Sequence, residues 1–136
     1  MKTIFKLFSL FLIGIIFSSC SNHLIGSWNI EKYETSKPDQ QTVTLSNIGV
    51  ITFFADKTGE KNVSYTVFGS TYEDNLRFKW SNTDNLVTID SQGSNFSKTW
   101  IMTENTRKVQ SWQSTNGGTV VEVLELKKVT QPSNAK

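Results

Sequence analysis

Hydrophobic and polar positions follow two different patterns along this chain. Residues 7–17 form an almost unbroken apolar run, whereas from Gly26 onward nearly every apolar segment alternates with polar residues. Alternation with a period of two is typical of β-strands that bury one face. No segment keeps helical spacing over three turns. The pattern therefore predicts an all-β domain behind a short apolar leader.

Eight strands are predicted, and short connections separate most of them. The strands span residues 26–35, 49–55, 60–68, 76–81, 86–90, 96–103, 107–114 and 119–129. A polar connection over 35–47 contains Pro38, and residues 42–45 within it form either a short extra strand or a lid. Residues 69–74 and 91–95 are predicted loops.

Turns and strand faces follow from the same pattern. Alternation in the first strand places Trp28, Ile30 and Lys32 on one face and Tyr33 on the other. A tight hairpin is predicted at 56–59, because Asp side chains start turns and Gly tolerates a positive φ at the exit. A second hairpin turn is predicted at residues 116–118.

Consecutive hairpins favour sequential antiparallel pairing, and closure of eight strands removes both exposed edges. The predicted fold is therefore all-β, an eight-stranded antiparallel up-and-down barrel, with a β-sandwich as the alternative. The barrel domain spans residues 26–129, and residues 130–136 form a polar, flexible tail.

The leader has the features of a bacterial lipoprotein signal peptide. Lys2 and Lys6 precede the apolar run, which is too short for a permanent membrane span. Residues 17–20 (Phe-Ser-Ser-Cys) resemble a lipobox, with Phe17 where Leu is usual. The resemblance implies cleavage after residue 19, a diacylglyceryl thioether on Cys20 and a further acyl chain such as palmitate. Two or more chains hold a protein firmly at a bilayer.

Residues 20–25 then form a lipidated tether between the membrane and the barrel. At no more than ~3.5 Å per residue, this tether keeps the domain within about 20 Å of the lipid surface. Ser21 after Cys20 is not the familiar Asp signal for retention in the inner membrane, and no acidic run resembles a surface-export signal. The predicted location is the outer membrane with the domain facing the periplasm; the alternative is the cell surface.

Charge excludes one class of partner. Two of the 14 lysines and arginines lie in the leader, which leaves 12 basic and 12 acidic residues in the mature chain. Nucleic-acid binding depends on a positive surface, so we expect no nucleic acid as partner. The clustered bases are Arg107–Lys108 and Lys127–Lys128, too few in sequence for a basic stripe.

Catalytic chemistry is not indicated. The single histidine, His23, lies in the tether, and Cys20 is the single cysteine. The pair Glu73–Asp74 is interpreted as a solvated turn, and Asp56 and Asp84 as turn formers. No phosphate loop, nucleophile elbow or zinc motif is found. We therefore expect neither an enzyme nor a bound cofactor or metal.

Two segments resemble a known family. Residues 24–30 contain Gly26-x-Trp28, which resembles the opening strand of lipocalin-like domains, and residues 51–59 resemble the apolar strand and Asp-x-Thr-Gly turn of small bacterial members, including Bacteroidetes-type lipoproteins. In the family this Trp packs across the closed end of the barrel against a basic side chain. The resemblance assigns that role to Trp28, with Lys127, Lys128 or Arg107 as the cation.

Three functions remain open at this point. A binding module would hold a small hydrophobic or amphipathic ligand inside the barrel. A protein-interaction, inhibitor or accessory module would meet an outer-membrane partner through loops 69–75, 91–95 and 35–47, around a solid core. An enzyme is the least favoured. The residues expected to face the barrel interior are Phe54, Tyr65, Phe78, Trp80, Trp100, Met102 and Trp112.

Overall fold

The computed structural model describes residues 22–115 and 119–130. The predicted signal peptide, Cys20, the turn at 116–118 and residues 131–136 lie outside the described residues. The described strands are β1 (Gly26–Ser36), β2 (Val43–Phe53), β3 (Thr58–Val67), β4 (Ser70–Asp74), β5 (Phe78–Asn82), β6 (Leu86–Asp90), β7 (Lys98–Asn105), β8 (Val109–Ser114) and β9 (Val121–Lys128).

These strands close into one antiparallel barrel. β1 pairs with β2 on one side and with β9 on the other, which joins the two ends of the sheet. β4 and β5 pair with successive parts of β3, so together they occupy one position in the wall. The predicted eight-stranded up-and-down barrel is thus confirmed, and the sandwich alternative is wrong. Among the described residues, no helix is long and apolar enough to cross a membrane.

β1 contains a bulge that the alternation pattern does not reveal. Its pairing with both neighbours shifts register between Ile30 and Lys32. An extra residue on one strand reverses the faces beyond it. Tyr33 is therefore buried inside the barrel, and Lys32 points outward to Glu34 and Glu125. The predicted faces of Lys32 and Tyr33 were wrong.

Two predicted loops are strands. Residues 43–45 belong to the long strand β2, so the extra strand or lid at 42–45 and the connection to residue 47 were wrong. Residues 70–74 form β4 rather than a loop. The link from β3 is the two-residue turn Phe68–Gly69, where φ is 51° and 81°. Positive φ at both residues defines a turn that matches the twist of a hairpin.

The hairpin at 56–59 and the turn-forming role of Asp56 are confirmed, but the expected positive φ at Gly59 was wrong. Asp56 Oδ1 accepts hydrogen bonds from the Thr58 N–H and hydroxyl, and the positive φ belongs to Lys57, at 72°. Gly59 is needed for space instead. A Cβ there would lie 2.1 Å from the Phe78 ring.

Aromatic and aliphatic side chains fill the barrel from one end to the other. All of the described buried hydrophobic residues lie between Leu24 and Leu126, so the domain has a complete core of its own. Phe53, not Phe54, faces this core; the expectation for Phe54 was wrong because the inward face of β2 carries Ile51 and Phe53, and the next residue does not point inward. Three tryptophans, Trp28, Trp100 and Trp112, are fully buried.

The two ends of the barrel differ. The closed end carries residues 22–25 and the turns β2–β3, β5–β6 and β7–β8; the mouth carries the turns β1–β2 and β3–β4 and the loop 91–97. Leu24 is fully buried at the closed end, and Asn22 donates a hydrogen bond to Asn82 at 2.9 Å. The fold therefore begins before Ile25, where the sequence had placed a free tether.

Candidate functional site

The closed end is built around Trp28. Its indole N–H donates to the carbonyl of Leu24 at 2.8 Å. Lys128 Nζ lies 4.7 Å from the centre of the Trp28 ring and donates to the Ile25 carbonyl. A Cβ on Gly26 would lie 2.7 Å from Lys128 Nζ. The Gly-x-Trp motif thus leaves room for this cation, and Lys128, not Lys127 or Arg107, supplies it.

Six of the seven predicted interior residues do lie inside the barrel, Phe54 being the exception. The aromatic rings in this set form a column with Phe53 and Phe96. The distances between ring centroids are 5.3 Å for Phe53–Phe78, 5.2 Å for Phe53–Trp80, 6.0 Å for Phe53–Trp112, 6.2 Å for Trp100–Trp112 and 6.5 Å for Phe96–Trp100. The Met102 side chain is buried as well. The column fills the interior below the mouth.

An aromatic cluster lines the mouth. Tyr33 meets Tyr65 edge to face at 5.2 Å and Phe96 at 5.3 Å. Tyr72 stacks on Tyr65 at 5.2 Å, and it is 38% exposed although it pairs with the inward-facing Tyr65. We call Tyr33, Tyr65, Tyr72 and Phe96 the mouth cluster. Within this cluster Tyr72 is the ring that reaches solvent, while the other three are buried.

Tyr65 is the one member of this cluster that the sequence pattern placed in the barrel interior. Tyr33 was missed because of the bulge in β1, and Tyr72 because β4 was interpreted as a loop. Phe96 was predicted to start a strand. It belongs instead to the loop before β7, and its side chain is buried beneath that loop. Phe96 is the one large apolar residue in the polar segment 91–97, and this could have indicated that its side chain is buried.

A buried charged network lies beside the mouth cluster. The Tyr33 hydroxyl donates to Glu122 Oε2 at 2.5 Å, and Lys98 Nζ donates to Oε1 of the same carboxylate. Lys98 also lies 5.1 Å from the centre of the Trp100 ring. Burial, followed by the Glu122 carboxylate, raises the pKa of Tyr33 well above its usual value. Tyr33 is therefore a neutral donor to Glu122 at physiological pH.

A second buried pair fixes the loop 91–97. Lys61 points into the barrel with its side chain fully buried, 3.2 Å from Asp74 Oδ1 and 2.8 Å from Ser91 Oγ. Burial lowers the Lys61 pKa against the opposing effect of Asp74. Ser94 Oγ donates to Asp74 Oδ2 at 2.5 Å. The interpretation of Asp74 as part of a solvated turn was wrong, although Glu73 is exposed.

The same loop reaches the mouth cluster through a side-chain amide. Asn95 Nδ2 donates to the Tyr65 hydroxyl at 2.9 Å, while burial raises the pKa of Tyr65 to about 12. Phe96 is inserted beside Tyr65 and below the loop. The loop therefore covers part of the mouth, and Tyr72 marks the part that stays open.

Open clefts lie on the outer wall. One of them, of about 560 Å³, lies beside the gap between β4 and β5 and is lined by Asp56, Arg77, Lys79 and Asp90 among others. Its charges are mixed, so it favours no single ligand. Over residues 22–115 and 119–130, no group of three His, Cys, Asp or Glu residues is arranged to hold a metal ion.

Comparison with known proteins gives one family. The family model described as a lipocalin-like domain matches residues 24–128. No curated protein matches the chain. A solved structure of a redesigned beta barrel is similar at 15% identity, with 79% of this chain and 93% of that chain covered and a TM-score of 0.45. Since the family model covers nearly all of the described barrel, this chain belongs to the family of lipocalin-like domains.

Proposed function

We propose that this lipocalin-like barrel binds a small amphipathic molecule at its mouth. The observation that carries the proposal is Tyr72, an aromatic ring on the inner wall that stays 38% exposed while it stacks on buried Tyr65. Half-open aromatic surface beside a few fixed polar groups is the usual composition of small-molecule sites. Glu122 and Lys98 supply such polar groups next to the cluster.

The filled interior limits the size and depth of this ligand. The ring column from Phe53 to Phe96 leaves the mouth as the accessible part of the inner wall. A flat or short-chain apolar group would lie against Tyr72, with its polar end toward solvent. The proposal involves no catalytic step and no cofactor.

We further propose that the domain is anchored at the outer membrane through acylated Cys20 and faces the periplasm. This rests on the leader and the lipobox-like residues 17–20. Labelling of expressed protein with radioactive palmitate tests it: wild type incorporates label, and Cys20→Ser does not. Label that persists in the Cys20→Ser variant would overturn the anchor.

Ligand binding is tested by titration of the protein with fatty acids while tryptophan fluorescence is followed, since Trp100 lies 6.5 Å from Phe96. We expect a saturable change, with an affinity that Tyr72→Ala weakens by about fivefold, because an aromatic contact contributes roughly 1 kcal/mol. Ile101→Ala, at an exposed residue on the outer wall, is the matched control and leaves the affinity unchanged. A flat titration with folded protein would refute the proposal.

A second candidate function is supported by the filled core. A solid barrel surrounded at the mouth by the β1–β2 and β3–β4 turns and by loop 91–97 also suits an interaction or accessory module, because loops on a rigid scaffold carry recognition. Crosslinking at Ser70 in membranes distinguishes the two. One protein partner captured at stoichiometric yield, together with a flat fatty-acid titration, would favour this second function.

A further inference from the structure

The closed end carries a basic surface that the sequence does not reveal. Arg107–Lys108 and Lys127–Lys128 are separate pairs in the chain. Pairing of β8 with β9 places Val109 opposite Lys127, and the Lys128 N–H donates to the Lys108 carbonyl at 2.9 Å. The pairing of β8 with β9 thus joins the two pairs into one cluster.

Apolar side chains lie beside this cluster. The Val129 N–H donates to the Ser27 carbonyl at 2.9 Å. This hydrogen bond places Val129 beside the turn that precedes β1. Ile25 is 39% exposed and Val129 is 42% exposed. Both large aliphatic side chains therefore reach solvent where the chain enters the barrel.

Three of these four cations are exposed to solvent. Arg107 and Lys108 lie exposed in the β7–β8 turn. Lys127 is 64% exposed and approaches Glu31 only at 3.6 Å, while Lys128 is held inward by Trp28. Of the acidic residues at this end, Asp56 lies in the β2–β3 turn, whereas Asp84 in the β5–β6 turn adjoins the β7–β8 turn, since its carbonyl accepts a hydrogen bond from Asn105 Nδ2 at 3.3 Å.

The position of the chain start points to what covers this surface. Asn22 is already attached to the closed end through Asn82. Only Ser21 separates it from Cys20, so the two Cα atoms are no more than about 7 Å apart. If the chain is acylated at Cys20, as proposed above, the closed end is the part of the barrel next to the bilayer.

We propose that the closed end is a docking surface for an anionic lipid bilayer, formed by Arg107, Lys108 and Lys127 with Ile25 and Val129. Cations attract anionic headgroups within a Debye length, and the two aliphatic side chains enter the interface. Docking holds the barrel upright, so the mouth faces away from the membrane. The inference rests on the proposed anchor for its orientation.

The test measures binding without the anchor. The mature chain 20–136 with Cys20→Ser, which contains the complete core, is sedimented with vesicles of phosphatidylcholine alone or of phosphatidylcholine and phosphatidylglycerol in equal parts. We expect binding to the mixed vesicles only, weakened at high ionic strength. Arg107→Gln with Lys108→Gln reduces it by about 10–30-fold, since each basic residue near such a surface contributes about 1 kcal/mol.

The matched control is Lys32→Gln with Lys37→Gln, which removes two cations from the mouth half of the barrel and changes binding by less than about twofold. Near-ultraviolet circular dichroism checks that each variant is folded. Equal binding to both vesicle types, no binding to mixed vesicles, or an equal loss in the control would each overturn the docking surface. Failure of palmitate labelling or of the fatty-acid titration would overturn the proposed function and leave this result intact.

Discussion

Removal of Asp74 tests the buried charges of the barrel. Lys61 is fully buried and its described partners are Asp74 and Ser91. In Asp74→Ala the ammonium group stays inside the barrel with one neutral acceptor. Breaking a buried pair in this way costs about 3–5 kcal/mol.

The double variant separates pairing from packing. Lys61→Met with Asp74→Ala removes both charges and keeps an unbranched apolar side chain beside Phe78, whose ring lies 5.4 Å from Lys61 Nζ. Replacement of a buried pair by apolar groups is often neutral. We therefore expect the double variant to be more stable than Asp74→Ala, by about 2 kcal/mol or more.

Urea unfolding followed by tryptophan fluorescence measures these free energies, and calorimetry gives the melting temperature. For a domain of this size about 1 kcal/mol corresponds to about 4 °C, so Asp74→Ala should melt more than about 10 °C below wild type. Glu73→Ala, at the exposed neighbouring residue, is the control. Two results would refute the view that Lys61 and Asp74 form a buried, coupled pair. One is a fall in the free energy of unfolding of less than about 1 kcal/mol in Asp74→Ala; the other is a fall in the double variant equal to the sum of the falls in the two single variants.

Three further outcomes are expected. Gly59→Ala forces a Cβ within 2.1 Å of the Phe78 ring and should lower the free energy of unfolding by about 1–3 kcal/mol; an unchanged urea midpoint would contradict this. Gly26→Ala should displace Lys128 Nζ from Trp28, with a smaller penalty in a Lys128→Ala background than in wild type, measured by the same unfolding series. The raised pKa of Tyr65, about 12, means that the unfolded chain loses this proton first, so stability falls as pH rises from about 10 to 12; a Tyr65→Phe variant that keeps the whole loss over this range would refute that assignment.

The sequence by itself determined the class of fold. Period-two alternation, short turns and Gly26-x-Trp28 predicted a closed lipocalin-like barrel, and six of seven interior residues were identified. These are local signals, since each strand must bury one face wherever its partners lie. The resemblance to the family also gave Lys128 as one of three possible cations for Trp28.

The tertiary structure decided what alternation cannot encode. A single extra residue in β1 moved Tyr33 into the barrel, and the pairing of β2 placed its Ile51 and Phe53 face inside in place of the face that precedes Phe54. The segment 70–74 has no clear apolar face, and it forms a strand because the Phe68–Gly69 turn pairs it with β3. This pairing places Tyr72 at the mouth. Contacts such as the Tyr33 hydrogen bond to Glu122 and the approach of Lys128 to Trp28 depend on the pairing of β1 with β9, the first and last strands. That pairing is set by closure of the whole sheet, and no segment of the chain contains it alone.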